Sequence, residues 1–124
     1  MQDITKHINY KGIDYPLVFN LNVIEKIQEK YGSYEKWGEM TERKENEEGE
    51  KTEVNIGALK FGITEMINEG IDIENETAET KREFITEKQV GRIITEIGIS
   101  KMTEKVQETV IDSTKKDNEE EKNV

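Results

Sequence analysis

The chain has 124 residues, of which 32% are hydrophobic and 37% are charged, and its net charge is −10. A surface of this sign repels phosphate backbones and anionic headgroups, which argues against nucleic-acid binding and against attachment to a membrane surface. The absence of cysteine excludes a disulfide framework, a thiolate nucleophile and a cysteine-ligated metal. No apolar stretch approaches the roughly 18 residues that span a bilayer, and no signal-peptide pattern follows Met1, so we expect a cytosolic protein.

The first predicted element is a β-hairpin. Apolar residues alternate in residues 4–10 and again in residues 13–19, so each run has one face to bury. Gly12, between the two runs, supplies the positive φ that a tight turn needs. Pro16 has no amide donor and therefore fits an edge strand. Because a two-stranded ribbon is marginal by itself in water, we expect the hairpin to pack on helices.

A first amphipathic helix is predicted after the hairpin. Asn20 is suited to cap its first turn, and Gly32 is suited to end it in a left-handed conformation. Ser33 then fits the cap of a further short turn that carries two aromatic residues, Tyr34 and Trp37. The apolar stripe of the first helix consists of Val23, Ile24, Ile27 and Tyr31.

The composition changes in residues 40–53, where nearly every side chain is polar or charged. Low hydrophobicity with dense charge is typical of disorder. We therefore predict a disordered acidic insertion at about 40–53, inside a single domain that spans residues 1–114.

A second long helix is predicted to begin at Ile56 and to end at Gly70. Gly57 and Gly62 lie within it, and both would allow another helix to approach its backbone closely. The acidic residues 71–82 are predicted to form a loop.

Two further helices complete the predicted bundle. Thr86 and Gln89 form a capping-box pattern before the third helix, and Gly98 ends it. Ser100 is suited to cap the fourth helix, and residues 115–124, which are almost entirely polar, are predicted to be a disordered acidic tail. The apolar stripe of the third helix consists of Val90, Ile93, Ile94 and Ile97.

These elements predict an α+β fold that is mainly α, with an N-terminal β-hairpin packed on a small bundle of three to four helices. In each element, the apolar residues that recur at the strand or helix repeat lie on one face, and these residues should form the core. They are Ile8, Leu17, Phe19, Ile24, Ile27, Leu59, Ile63, Ile93 and Ile94.

No group of residues points to catalysis, so we predict a non-enzymatic protein with no cofactor and no metal. His7, the single histidine, lies on the strand face opposite Ile8, and the sequence shows no positioned partner for general acid–base chemistry. An acidic run falls at the ligand positions of a calcium loop, but Thr77 stands where that loop needs a glycine. The run consists of Asp72, Glu74, Glu76 and Glu83.

Two groups of apolar residues are candidates for contact with a partner protein. Aromatic residues dominate the energetics of interfaces, and the narrow apolar seam of the fourth helix is suited to pack on another chain. Both groups could instead complete the protein's own core, and the sequence leaves these alternatives open. The candidates are Tyr34, Trp37, Ile99, Met102, Val106 and Val110.

The order of elements resembles that of the tail assembly chaperones of long-tailed bacteriophages and prophages. The similarity covers the hairpin in residues 8–20, the helix end in 31–33, and the later blocks 58–70 and 85–94. It implies a non-enzymatic protein that coats the aggregation-prone tape measure protein and helps to recruit tail tube subunits. It also implies that the protein acts in the cytoplasm of the bacterial host and is absent from the mature virion.

The alternative is a small helical structural or regulatory module that binds one folded protein, such as a phage connector or an anti-host factor. Gene order separates the two hypotheses, because a chaperone gene should lie between a tail tube gene and a very long tape measure gene. A homo-oligomer is compatible with both hypotheses.

Overall fold

The computed structural model describes the backbone of residues 1–122 and the side chains of residues 1–115. In this part of the chain, a two-stranded antiparallel hairpin precedes five helices, which confirms the predicted α+β, mainly α class. The bundle exceeds the predicted three to four helices because the turn after Ser33 forms a helix of its own. The elements are β1 (Thr5–Tyr10), β2 (Ile13–Val18), α1 (Leu21–Tyr31), α2 (Tyr34–Thr41), α3 (Ile56–Asn75), α4 (Glu87–Ile97) and α5 (Ile99–Lys122).

A two-residue turn closes the hairpin. Lys11 and Gly12 have φ angles of 51° and 80°, as in a type I′ turn, whose twist matches that of the flanking strands. Tyr10 and Ile13 therefore form the hydrogen-bonded pair next to the turn, and hydrogen-bonded pairs alternate from there. Pro16 falls at a position outside the ladder, where its missing N–H interrupts no hydrogen bond.

The core lies between the hairpin and the helices, with β2 packed on α3. Every residue that the sequence predicted for the core is buried. The core also contains residues outside that list, and for Trp37, Met102 and Val106 this is the core alternative that the sequence left open. The additional core residues are Val18, Val23, Trp37, Val54, Ala58, Met66, Ile67, Ile71, Ile85, Val90, Met102 and Val106.

Most helix starts and stops follow the predicted caps. The side chains of Asn20 and Ser33 accept the backbone N–H three residues further on, at 3.3 and 3.1 Å. The capping box between Thr86 and Gln89 is present in both directions. Ser100 does not cap α5, because the helix already begins at Ile99.

The predicted end of α3 is wrong. The helix continues past Gly70 to Asn75, and Ile71, predicted to lie in a loop, is fully buried. A Cβ placed on Gly70 would lie 2.6 Å from the Pro16 side chain. Gly70 therefore allows β2 to pack closely on α3, and it does not terminate the helix.

The predicted acidic insertion begins too early and has local structure. Residues 40 and 41 belong to α2, and Thr41 is buried. Beyond them, the Asn46 side-chain oxygen accepts the N–H groups of Glu48 and Glu50, at 3.0 and 2.8 Å. This is the turn chemistry of asparagine, and it gives residues 44–52 a hydrogen-bonded loop with exposed side chains.

Helix α5 continues beyond residue 114, where the sequence analysis ended it. It runs to Lys122 and so includes most of the segment that was predicted to be a disordered tail. Lys and Glu, which make up most of this segment, have high helix propensity and favour a helical continuation. Residues 123 and 124 lie outside the described part of the chain.

Candidate protein-binding surface

The side chains described for residues 1–115 include no cluster of three or more His, Asp or Glu residues that could hold a metal ion. None of the helices in the described part of the chain combines the length and the apolar composition that a membrane span requires. His7 is exposed, and its Nδ1 lies 2.7 Å from Asp14 Oδ2, a partner that the sequence analysis missed. The two side chains are 53% and 56% exposed, so they form a surface contact of the hairpin.

The acidic run with calcium-loop spacing does not form a continuous loop. Asp72 and Glu74 lie on α3, and Glu76 follows the last residue of that helix. Glu74 also pairs with Arg82 at 3.4 Å. The rigid helix separates these carboxylates along its axis, which is incompatible with wrapping a single cation.

The candidate partner-binding residues divide into two groups by burial. The buried ones are only 1–2% exposed and belong to the core, and their contact with a partner stays a prediction. They are Trp37, Met102 and Val106. The half-buried ones reach the surface, and their contact with a partner stays a prediction. They are Tyr34, Ile99 and Val110.

Trp37 is fixed in the core by a hydrogen bond and by aromatic packing. Its Nε1 donates to the backbone oxygen of Ala58 at 2.9 Å, in a buried position. Its ring stacks on Phe19, with 6.4 Å between centroids and 13° between planes. Phe19 in turn meets the ring of Tyr34 edge-on at 5.7 Å, which places Tyr34 at the outer side of the aromatic cluster.

A groove between α2 and α5 brings four of the candidates together. We call it the α2–α5 groove, and its volume is about 140 Å³. Ile99 and Met102 do not line it, so the seam predicted on the last helix does not act as one surface. The lining residues are Tyr34, Trp37, Gly38, Thr41, Glu42, Val106, Gln107, Val110 and Ile111.

Ile111 is the functional candidate that the sequence analysis missed. It is 61% exposed, whereas its neighbour Val110 is half-buried. Consecutive residues lie about 100° apart around a helix, so Ile111 falls outside the seam and was not selected. The sequence did contain one signal for Ile111, because it is an apolar residue directly after Val110, the last residue of the seam.

The α2–α5 groove presents mainly apolar side chains from two helices. Trp37 and Val106 belong to its wall and are immobilised by the core, so this wall is preformed. Tyr34 and Ile111 add apolar surface that reaches solvent. A preformed apolar concavity needs no reorganisation when it binds, which favours association.

Ile99 lines a different groove, between α3, α4 and the start of α5. This second groove has a volume of about 460 Å³ and also contains Lys60 and the 43% exposed Ile56. The lysine lies across Gly91, where an added Cβ would be 3.3 Å from its Cε. Because the charged side chain of Lys60 lies at this second groove, the groove is less suited to an apolar ligand.

A third groove, between α1 and α3, is acidic. Burial raises the pKa of Glu65, and the Glu87 and Glu69 carboxylates add to this rise, while Lys26 opposes it. Phe84 lies at the same groove and is 57% exposed. The acidic residues that line it are Glu25, Glu65, Glu69 and Asp72.

Comparison with protein-family models, with curated proteins and with solved structures finds no match to this chain. The functional argument therefore depends on the chain's own residues and on their arrangement.

Proposed function

We propose that this protein is a tail assembly chaperone of a long-tailed phage or prophage, which binds apolar segments of the tape measure protein and helps to recruit tail tube subunits. The observation that carries the proposal is the α2–α5 groove, where Tyr34, Val110 and Ile111 present apolar surface beside walls of immobilised core residues. The predicted site of action is the cytoplasm of the bacterial host.

The chemistry of the groove supports binding rather than catalysis. Its lining contains a single carboxylate, Glu42, and no histidine, lysine or arginine that could act as an acid or a base with it. The remaining polar groups are neutral, and the apolar side chains dominate the lining.

The size of the groove supports weak binding by each copy. A volume of about 140 Å³ accommodates roughly one large apolar side chain, and burying such a side chain contributes about 1.5–3 kcal/mol. One contact of this strength does not hold two proteins together against the cost of association. Many copies along one extended partner would do so, which is the behaviour required to coat a tape measure protein.

The charge of the chain supports the same role. A net charge of −10 keeps a complex in solution when the apolar segments of the partner are covered. When the apolar segments of the partner are not covered, they associate with one another.

Co-expression tests the proposal. The tape measure protein is produced in bacteria with and without this chain, and its soluble fraction is measured after centrifugation. We expect a several-fold larger soluble fraction when the chain is present. Equal solubility in the two cultures would refute the chaperone function.

A matched pair of variants assigns the effect to the groove. Ile111→Lys places a charge at the groove, while Ile73→Lys makes the same change at an exposed isoleucine of α3 that is 41% accessible and lies outside the groove. We expect the first variant to lose the solubilising effect and the second to retain it. Equal behaviour of the two variants would exclude the groove as the binding surface.

A further inference from the structure

The second groove combines aliphatic walls with one cation. Ile56, Ile94 and Ile99 line it from α3, α4 and α5. Lys60 of α3 is the single charged residue among the described residues of the lining. The volume of about 460 Å³ exceeds the 140 Å³ of the α2–α5 groove. The second groove therefore has room for an aliphatic side chain together with a polar group.

The side chain of Lys60 extends from α3 to α4. A Cβ placed on Gly91 of α4 would lie 3.3 Å from Lys60 Cε and 3.6 Å from its Nζ, so the glycine leaves the space that the lysine occupies. The other polar side chain of the described lining is Thr95, whose hydroxyl already donates to the backbone oxygen of Gly91 at 2.8 Å. The Lys60 ammonium group is therefore the hydrogen-bond donor that the groove offers to a ligand.

The Lys60 ammonium group has no hydrogen-bond or salt-bridge partner among the described residues. Lys6, which is also half-buried, differs in this respect, because its Nζ lies 3.3 Å from Glu108 and 2.8 Å from Asp112. The chain contains 28 acidic residues, yet none of those described pairs with Lys60. An unpaired ammonium group beside aliphatic walls is suited to a carboxylate that a ligand supplies.

We propose that the second groove binds a segment of a partner protein in which a carboxylate side chain lies next to a large aliphatic side chain. The aliphatic side chain packs on Ile94 and Ile99, and the carboxylate accepts a hydrogen bond from Lys60. Ile56 is 43% exposed, so the groove is open, whereas small-molecule sites enclose most of their ligand. This openness favours a protein segment as the occupant. The charge of Lys60 supplies specificity for the acidic residue of that segment.

The two grooves are separate and differ in charge. They share no lining residue, and the charged residue of the α2–α5 groove is the carboxylate Glu42, whereas that of the second groove is the cation Lys60. Like charges disfavour an acidic segment at the first groove and opposite charges favour it at the second. The second groove therefore selects a segment of different sequence, and its occupation leaves the α2–α5 groove available.

A nuclear magnetic resonance titration of the full chain tests this proposal. The probe is a short acetylated and amidated peptide with a central Leu-Asp pair flanked by glycines, and a Leu-Asn peptide of the same length is the uncharged control. The amide signals of Gly91 and Gly98 report on the second groove, and that of Gly38 reports on the α2–α5 groove. We expect the Leu-Asp peptide to shift Gly91 and Gly98 but not Gly38. The dissociation constant of the Leu-Asn peptide should be about two- to fivefold higher, the range of an exposed ion pair.

A matched pair of variants assigns the preference to Lys60. Lys60→Glu reverses the charge of the second groove, while Lys88→Glu makes the same change at an exposed lysine of α4 outside it. We expect the first variant to bind the Leu-Asn peptide more tightly than the Leu-Asp peptide, and the second to keep the preference of the natural chain. Lys60→Gln, which is neutral, should bind both peptides equally.

Three results would overturn the proposal. The first is the absence of shifts at Gly91 and Gly98, or shifts that are confined to Gly38. The second is equal affinity of the natural chain for the two peptides. The third is a preference for the Leu-Asp peptide that persists in Lys60→Gln, because the carboxylate would then bind elsewhere.

Discussion

Gly62 of α3 lies directly against the indole ring of Trp37. A Cβ placed on Gly62 would be 2.6 Å from Trp37 Cε2, closer than real Cβ atoms approach their neighbours. The sequence predicted that a glycine here allows close approach to α3, and the structure confirms the close approach. The approaching group is an aromatic ring of α2 and not the backbone of another helix.

Gly62→Ala should destabilise the protein by about 1–3 kcal/mol, because the added methyl group overpacks a rigid part of the core. Gly57→Ala is the matched control on the same helix. A Cβ there would lie 3.5 Å from the Asn55 side chain, an ordinary contact. This control should stabilise the protein by up to about 1 kcal/mol through helix propensity. Urea unfolding of both variants measures the difference, and equal effects would contradict the packing described here.

Asn68 should be important for the position of the loop before α4. Its side-chain amide donates to the backbone oxygen of Ile85 at 2.9 Å, and its oxygen accepts the Ile85 N–H at 2.8 Å. Asn68→Asp keeps the acceptor but loses the donor, so a carboxylate faces a carbonyl. We expect a loss of about 1–3 kcal/mol in the free energy of unfolding. An Asp variant as stable as the natural chain would show that the loop does not depend on this bond.

The acidic groove should make stability depend on pH through Glu65. Because its pKa is raised in the folded state, mainly by burial, the folded protein favours the protonated carboxyl. The resulting contribution to stability is complete below the ordinary value of 4.5 and is lost as the pH rises through the folded-state pKa. Glu65→Gln stays neutral throughout this range.

We therefore expect Glu65→Gln to be more stable than the natural chain at pH 7. The advantage should shrink as the pH falls through the folded-state pKa and should vanish below the ordinary carboxyl value. Thermal unfolding of both proteins over a series of pH values measures this difference. An advantage that is constant with pH would show that the carboxyl is not perturbed by its surroundings.

The sequence predicted the fold where local chemistry decides the structure. The Lys11-Gly12 turn, the Asn20 cap and the capping box at Thr86 each depend on residues within four positions of one another. Gly70 was misinterpreted because its role depends on Pro16, which is distant in the chain and packs against it. The length of α5 was missed because a polar, charged segment carries no apolar period that marks where a helix ends.

The candidate surface was predictable only in part. Tyr34 and Val110 were selected in two separate groups, and the structure places both at one groove between different helices. Their contact with a partner stays a prediction. The periodicity of α5 does not show whether a seam faces its own core or another chain, so Met102 could not be assigned to the core. Ile111 was missed because the groove is created by the approach of α2, which depends on tertiary packing.

Direct binding to the α2–α5 groove is the measurement that tests the central claim most closely. Trp37 is the only tryptophan and lines the groove, so its fluorescence reports what enters there. A soluble, tryptophan-free fragment of the tape measure protein is titrated into the natural chain, into Ile111→Lys and into Ile73→Lys. We predict a saturable change in emission for the natural chain and for Ile73→Lys, and an affinity at least tenfold lower for Ile111→Lys. No change in emission with the natural chain, or equal affinities for the two lysine variants, would contradict it.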